Sequence, residues 1–139
     1  MSARGVFKVT AVQATPAYLD REATLDMVVD HIAAAGADGA NLVVFSESFV
    51  PGYPDWVWRM TAAQDGEWYH RFHDQAVEID GPHLDKARAA AEAAGVWVAL
   101  GITERTSSGT LYNAVVYIDD HGEIAGLHRK LIPTAAERT

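Results

Sequence analysis

Leu42-Val43-Val44-Phe45-Ser46-Glu47-Ser48-Phe49 leads directly into Pro51-Gly52-Tyr53-Pro54. The first four residues form a short, unbroken apolar run, which reads as a buried strand in a sheet covered by helices. The run ends at a serine and a carboxylate, and a turn rich in proline and glycine follows. A second boundary of this kind lies far downstream, at His128-Arg129-Lys130-Leu131-Ile132-Pro133-Thr134. There a strand pattern stops at an ammonium group.

Working outward from Leu42, the flanks supply alternating strands and helices. Val6 to Val12 alternates in part, a strand signal. Asp20 stands where an N-cap belongs, with Glu22 in the first turn. Leu25, Val28, Val29, Ile32 and Ala33 recur at helical spacing, so residues 21–35 read as an amphipathic helix that Gly36 and Gly39 end. Residues 56–79 are aromatic, charged and partly helical in pattern. Asp80-Gly81-Pro82 reads as a helix start, with Pro82 at the first position, and the alanine-rich run to Ala94 continues it as far as Gly95. Val96 to Ile102 is a further strand. Leu111 to Ile118 and Glu123 to His128 form a hairpin about Asp119-Asp120-His121-Gly122. The order implies a layered α/β domain with a mixed sheet, in which functional residues gather at strand ends.

Glu47 and Lys130 both fall at such ends. A carboxylate directly after an apolar run is expected to be partly desolvated, which suits a general base. Position alone reads equally well as a solvated loop glutamate or a helix cap. Lys130 is placed to stabilise an oxyanion, although by itself it reads better as half of a surface basic pair. Glu137, seven residues on, reads from spacing as a partner of Arg138 or a solvated residue near the chain end. Of six histidines, His70 and His73 share a helical face, but no flanking motif supports a metal site. Trp56, Trp58, Trp68 and Tyr69 are expected to pack a helix or loop over the site, with a pocket role for Trp56 as the weaker alternative.

The chain has 139 residues, 49% hydrophobic and 22% charged, which fits one folded domain. With 19 acidic against 11 basic residues its net charge is -8, a poor match to a phosphate backbone or an anionic membrane surface. It holds no cysteine, hence no disulfide or thiolate metal site. No targeting pattern or membrane-length apolar stretch is present, so the expected setting is cytoplasmic. Neither a Gly-x-Ser-x-Gly elbow nor a phosphate-binding glycine loop occurs.

In combination these segments resemble the nitrilase superfamily of carbon–nitrogen hydrolases. LVVFSESFVPGYP (residues 42–54) is similar to the family's catalytic-glutamate motif, and HRKLIPTAAER (128–138) to its catalytic-lysine motif with the glutamate that follows. GTLYNAVVYID (109–119) resembles the intervening strand pair. The Gly-Tyr-Pro turn and the Lys-Leu-x-Pro-Thr run point to the nitrilase branch. The resemblance covers the N-terminal half of such an enzyme, and so implies half of a four-layer α-β-β-α sandwich. It implies that Glu47 is the general base, Lys130 the cation at the tetrahedral intermediate, and Glu137 the second glutamate that positions substrate and base. It implies no cofactor, and a small nitrile or amide as substrate. Proline commonly precedes the family's glutamate, and Ser46 stands there in this chain.

The family's nucleophilic cysteine lies a few dozen residues beyond the lysine. Residues 1–139 therefore read as one truncated domain, inactive alone, with Ser46, Ser48 and Thr134 poor substitutes for a thiolate. The expected partners are a C-terminal half that supplies the cysteine, or further copies of the chain. An amidase of the same superfamily and a non-catalytic interaction module are the alternatives. Half of a sandwich leaves one sheet face uncovered and an edge strand unpaired, which favours association.

Overall fold

A computed structural model describes residues 6–61 and 63–134. Five strands form one mixed sheet in the order β1-β2-β3-β4-β5: β1 (Val9–Ala11), β2 (Leu42–Val44), β3 (Trp97–Arg105), β4 (Leu111–Ile118) and β5 (Ile124–Arg129). The first three run parallel, and β3, β4 and β5 run antiparallel. The parallel pairs need crossovers, and the helices α1 (Arg21–Ala37) and α3 (Asp85–Ala94) supply them. A third helix, α2 (Gly66–Gln75), lies between β2 and α3 in the chain.

Alternation along the strands decides which face is covered. Val43, Val98, Leu100, Ile102, Ala114, Val116 and Ile118 are buried against Leu25, Val28 and Ile32 of α1 and Ala87 and Ala91 of α3. The intervening positions, Ala99, Gly101 and Thr103 opposite Tyr117, Val115 and Asn113, look to the other face. Part of that face is capped by a second, aromatic core in which Trp56 packs edge-on against Phe72 (5.3 Å) and stacks on Trp68 (6.2 Å). Beyond the cap the face is open among the described residues, and Tyr117 is 40% exposed.

The helix ends follow local chemistry. Asp20 caps α1 through its side chain, which accepts from the Ala23 N–H at 3.0 Å. Gly36 does not end α1, contrary to expectation. The helix runs on to Ala37, and Gly36 lies close against α3, where a Cβ would come 2.8 Å from that of Ala94. Pro82 opens a short 3-10 turn (Pro82–Leu84) ahead of α3, and Gly95 closes α3 in the left-handed region. The aromatic segment differs from expectation in part. Trp56 and Trp68 pack together, but Trp58 is exposed and its indole N–H donates to the Tyr53 hydroxyl.

Candidate active site

After β2 the chain stays bonded to the same edge of β3. The Phe45 N–H donates to the Ala99 carbonyl (2.9 Å) and the Val50 N–H to the Gly101 carbonyl (3.1 Å). Residues 46–49 arch over Gly101 between these anchors. Nothing larger than glycine fits beneath the arch: a Cβ there would collide with the Ser46 carbonyl and lie 2.9 Å from the Glu47 Cα. Ser48 takes a left-handed conformation (φ 48°) with its side chain buried, and Phe49 and Val50 are buried as well. The arch is thus pinned on both sides, and Glu47 projects from it over the sheet face opposite α1 and α3.

Lys130 reaches that place from the far edge. It follows the last residue of β5, and its N–H donates to the Asn113 carbonyl of β4 (2.8 Å). Its Nζ donates to Glu47 Oε1 at 2.7 Å, across 83 residues of sequence. Asn113 Nδ2 donates to the same oxygen at 2.5 Å. Glu47, Asn113, Val115, His128 and Lys130 line a cavity of about 240 Å3 that opens on the sheet face.

Beneath the sheet the register of this pair is fixed by a second ionic contact. Arg129 Nε and Nη2 donate to the two carboxylate oxygens of Glu104, each at 2.7 Å, and the guanidinium lies 4.1 Å from the Tyr112 ring centroid. Glu104 is only 4% exposed, and the guanidinium satisfies both of its carboxylate oxygens. Arg129 and Tyr112 each precede a site residue by one. Alternation therefore places Lys130 and Asn113 together on the opposite face.

The Glu47 side chain is 53% exposed, against 31% for Lys130, so the carboxylate keeps about half of its contact with solvent. The apolar run before it is buried, but the arch lifts the carboxylate onto the open part of the sheet. Trp56 lies in the aromatic core and does not line the cavity at Glu47. Glu137 lies outside the described residues. No group of three histidine, aspartate or glutamate side chains among the described residues is placed to hold a metal ion.

Two residues of the site were invisible to sequence reasoning. Asn113 passed as one polar position in a strand, and Gly101 as an ordinary strand residue. The available signals were an amide in an otherwise apolar strand (Leu111 to Ile118) and a glycine within a buried one, which marks close backbone approach.

Comparison with known proteins follows the same lines. The family profile described as carbon-nitrogen hydrolase matches residues 8–139. A nitrilase of Pseudomonas syringae pv. syringae (strain B728a) is 39% identical over 132 residues, which cover 95% of this chain and 39% of that protein. An aliphatic nitrilase of Rhodococcus rhodochrous is 39% identical over 134 residues, covering 96% and 36% respectively. The chain spans about two fifths of the length of these curated relatives. Among solved structures, a mutant of the amidase from Nesterenkonia sp. AN1, which carries acrylamide added at its active site cysteine, superposes with a TM-score of 0.66 at 20% identity. That match covers 91% of this chain and 45% of the amidase, and it shows a shared fold.

Proposed function

The chain belongs to the carbon–nitrogen hydrolase family, and from that premise we propose that it carries the acid–base half of a nitrilase-type active site. In this reading residues 1–139 are one part of a longer hydrolase domain, and a cysteine outside them supplies the nucleophile. The observation that carries the reading is the Glu47 Oε1–Lys130 Nζ contact of 2.7 Å at the mouth of a cavity on an open sheet face. Its support is that both residues lie in the segments that resemble the family's glutamate and lysine motifs, and that the curated relatives matched over this region are nitrilases.

The chemistry follows from the two charges. Glu47 takes the proton of the incoming thiol, and the sulfur attacks the nitrile carbon. The nitrile nitrogen gains that proton, which leaves a thioimidate. Water adds to the thioimidate carbon, and Lys130 stabilises the negative charge that develops in each addition. Ammonia leaves, and a second water hydrolyses the thioester to the carboxylic acid and free thiol. One nitrile and two waters thus give one acid and one ammonia. Glu137 belongs to the same proposal as the second glutamate, which helps to position substrate and base. A cytoplasmic setting is part of this reading, because a nucleophilic thiol persists where thiols are kept reduced. So is association, either with a cysteine-bearing segment or between copies.

The experiment is complementation. The purified chain is mixed with a cysteine-bearing C-terminal segment of a nitrilase relative, and ammonia is measured with a nitrile and with the matching amide. Release from the nitrile by the mixture, and none by the chain alone, is expected. Turnover by the chain alone removes the need for an external thiol and overturns the reading. A mixture that releases ammonia only from the amide reassigns the substrate class.

A further inference from the structure

Two donors converge on one oxygen of Glu47. Asn113 Nδ2 and Lys130 Nζ both donate to Oε1, at 2.5 and 2.7 Å, and among the described residues no donor reaches Oε2. The two donors are not independent. Asn113 and Lys130 face each other across β4 and the end of β5, joined by the Lys130 N–H to Asn113 carbonyl bond of 2.8 Å. A single backbone pair therefore sets where both donors stand. Asn113 is also half-buried, one wall shared between the cavity at Glu47 and a small neighbouring cavity of about 30 Å3 lined by Ser48, Phe72, Thr103 and Leu111. That packing holds its amide more firmly than a solvated side chain.

We infer that Asn113 is a positioning residue that divides the two oxygens of Glu47 between structure and chemistry: Oε1 is held, and Oε2 takes the proton. The inference rests on the reading of Glu47 as the base. Its physical basis is the difference between the two donors. Lys130 holds Oε1 by charge, and that hold weakens once Glu47 is protonated. Asn113 is neutral, and its N–H donates to the carbonyl-like oxygen of a carboxylic acid as well as to a carboxylate. When a proton arrives on Oε2, the ammonium is released to the negative charge that develops on the substrate, while the amide keeps the acid aimed. No new atom is required, and the proton moves from thiol to Oε2 and on to the substrate nitrogen. A base held by lysine alone would lose its alignment at the step that needs it.

The test separates this inference from the catalytic reading. In the 15N-labelled full chain, the Asn113 side-chain amide proton that faces Glu47 is expected well downfield of the side-chain amide protons of Asn41, the other asparagine. Lys130→Met should leave it there. Glu47→Gln, which keeps a neutral acceptor, should move it part of the way upfield, and Glu47→Ala the whole way. These spectra need no turnover and report folding in the same experiment. An amide resonance indifferent to both Glu47 substitutions overturns the inference, and so does one that collapses with Lys130→Met in a chain that remains folded. In the complemented enzyme, Asn113→Ala should lower kcat about 10- to 100-fold with KM little changed, the loss expected of a misaligned base. An unchanged kcat would also overturn it. If complementation yields no ammonia at all, the catalytic reading fails while the amide shifts still decide whether Asn113 holds Oε1.

Discussion

Gly101 has no room for a side chain, and the reason lies in the arch that carries Glu47. A methyl group at this position meets the Ser46 and Glu47 backbone, so no side-chain rotamer relieves it. Gly101→Ala should force the arch away from β3, at a cost of about 1–3 kcal/mol. Urea unfolding measures the cost, and the Asn113 amide resonance reports whether Glu47 moved with it. The same residue shows why the site was only half legible in the sequence. Glu47 and Lys130 announced themselves as charges at the ends of apolar runs within segments that resemble known motifs. Gly101 and Asn113 carry no such contrast. Their roles are defined by the arch packed against β3, and its contacts join residues more than fifty positions apart.

At the scale of elements, α1, α2, β3 and α3 are tied together around the connection at residues 76–84. Arg21 at the start of α1 donates to the Asp74 and Ala76 carbonyls at the C-terminal end of α2, and Arg105 at the end of β3 holds Glu78 (2.7 Å) and the His73 carbonyl (2.9 Å). His83 completes the tie: its Nδ1 accepts from the Glu78 N–H at 3.0 Å, which requires that nitrogen to be unprotonated. Burial, and then the nearby Arg21 charge, lower the His83 pKa below its usual 6.5, against the opposing pull of Glu78 and Glu22. The unfolded chain therefore binds a proton more readily than the folded one between the folded value and 6.5. Stability should fall as pH drops through that window. Glu78, lowered by its hydrogen bond to Arg105, and Glu22, lowered by its hydrogen bond to Lys86, add a second loss as pH falls below 4.5. Urea midpoints measured from about pH 8 down to about pH 5 should decline. His83→Gln should flatten that limb and leave the more acidic one in place.

These elements were largely legible. The apolar run at Leu42, the capped helix from Asp20 and the hairpin about Gly122 all carry local signals, and all three form. The exact role of glycines did not. Gly36 and Gly39 look alike in sequence, but only Gly39 adopts a left-handed conformation, whereas Gly36 lets two helices touch. Nor does a strand pattern reveal pairing. The change from parallel to antiparallel at β3 follows from connection length: a helix precedes β3, and only a short turn follows it.

For the whole molecule, the decisive feature is the uneven clothing of the sheet. One face is buried under α1 and α3, while the other carries the candidate site and an exposed apolar area around Tyr117. Both sheet edges, β1 and β5, lack a further strand among the described residues. Such a surface favours contact with another chain. Sedimentation velocity over a range of concentrations should show the mass rise with concentration, and a charge on the open face, as in Tyr117→Lys, should suppress the rise. A monomer at all concentrations would contradict this. The half exposure of Glu47 has the same origin: the sequence shows the apolar run before the carboxylate, but not that the face above it is open.

The claim beneath all of this is that Glu47 and Lys130 form the acid–base part of a hydrolytic centre. The most direct measurement is the rate of ammonia release from a nitrile by the complemented enzyme, wild type against Glu47→Gln, with equal binding of the cysteine-bearing segment verified. The substitution keeps the shape and an acceptor oxygen but removes the base, so the rate should fall by at least about 100-fold. A Glu47→Gln complex that releases ammonia at the wild-type rate would contradict the account.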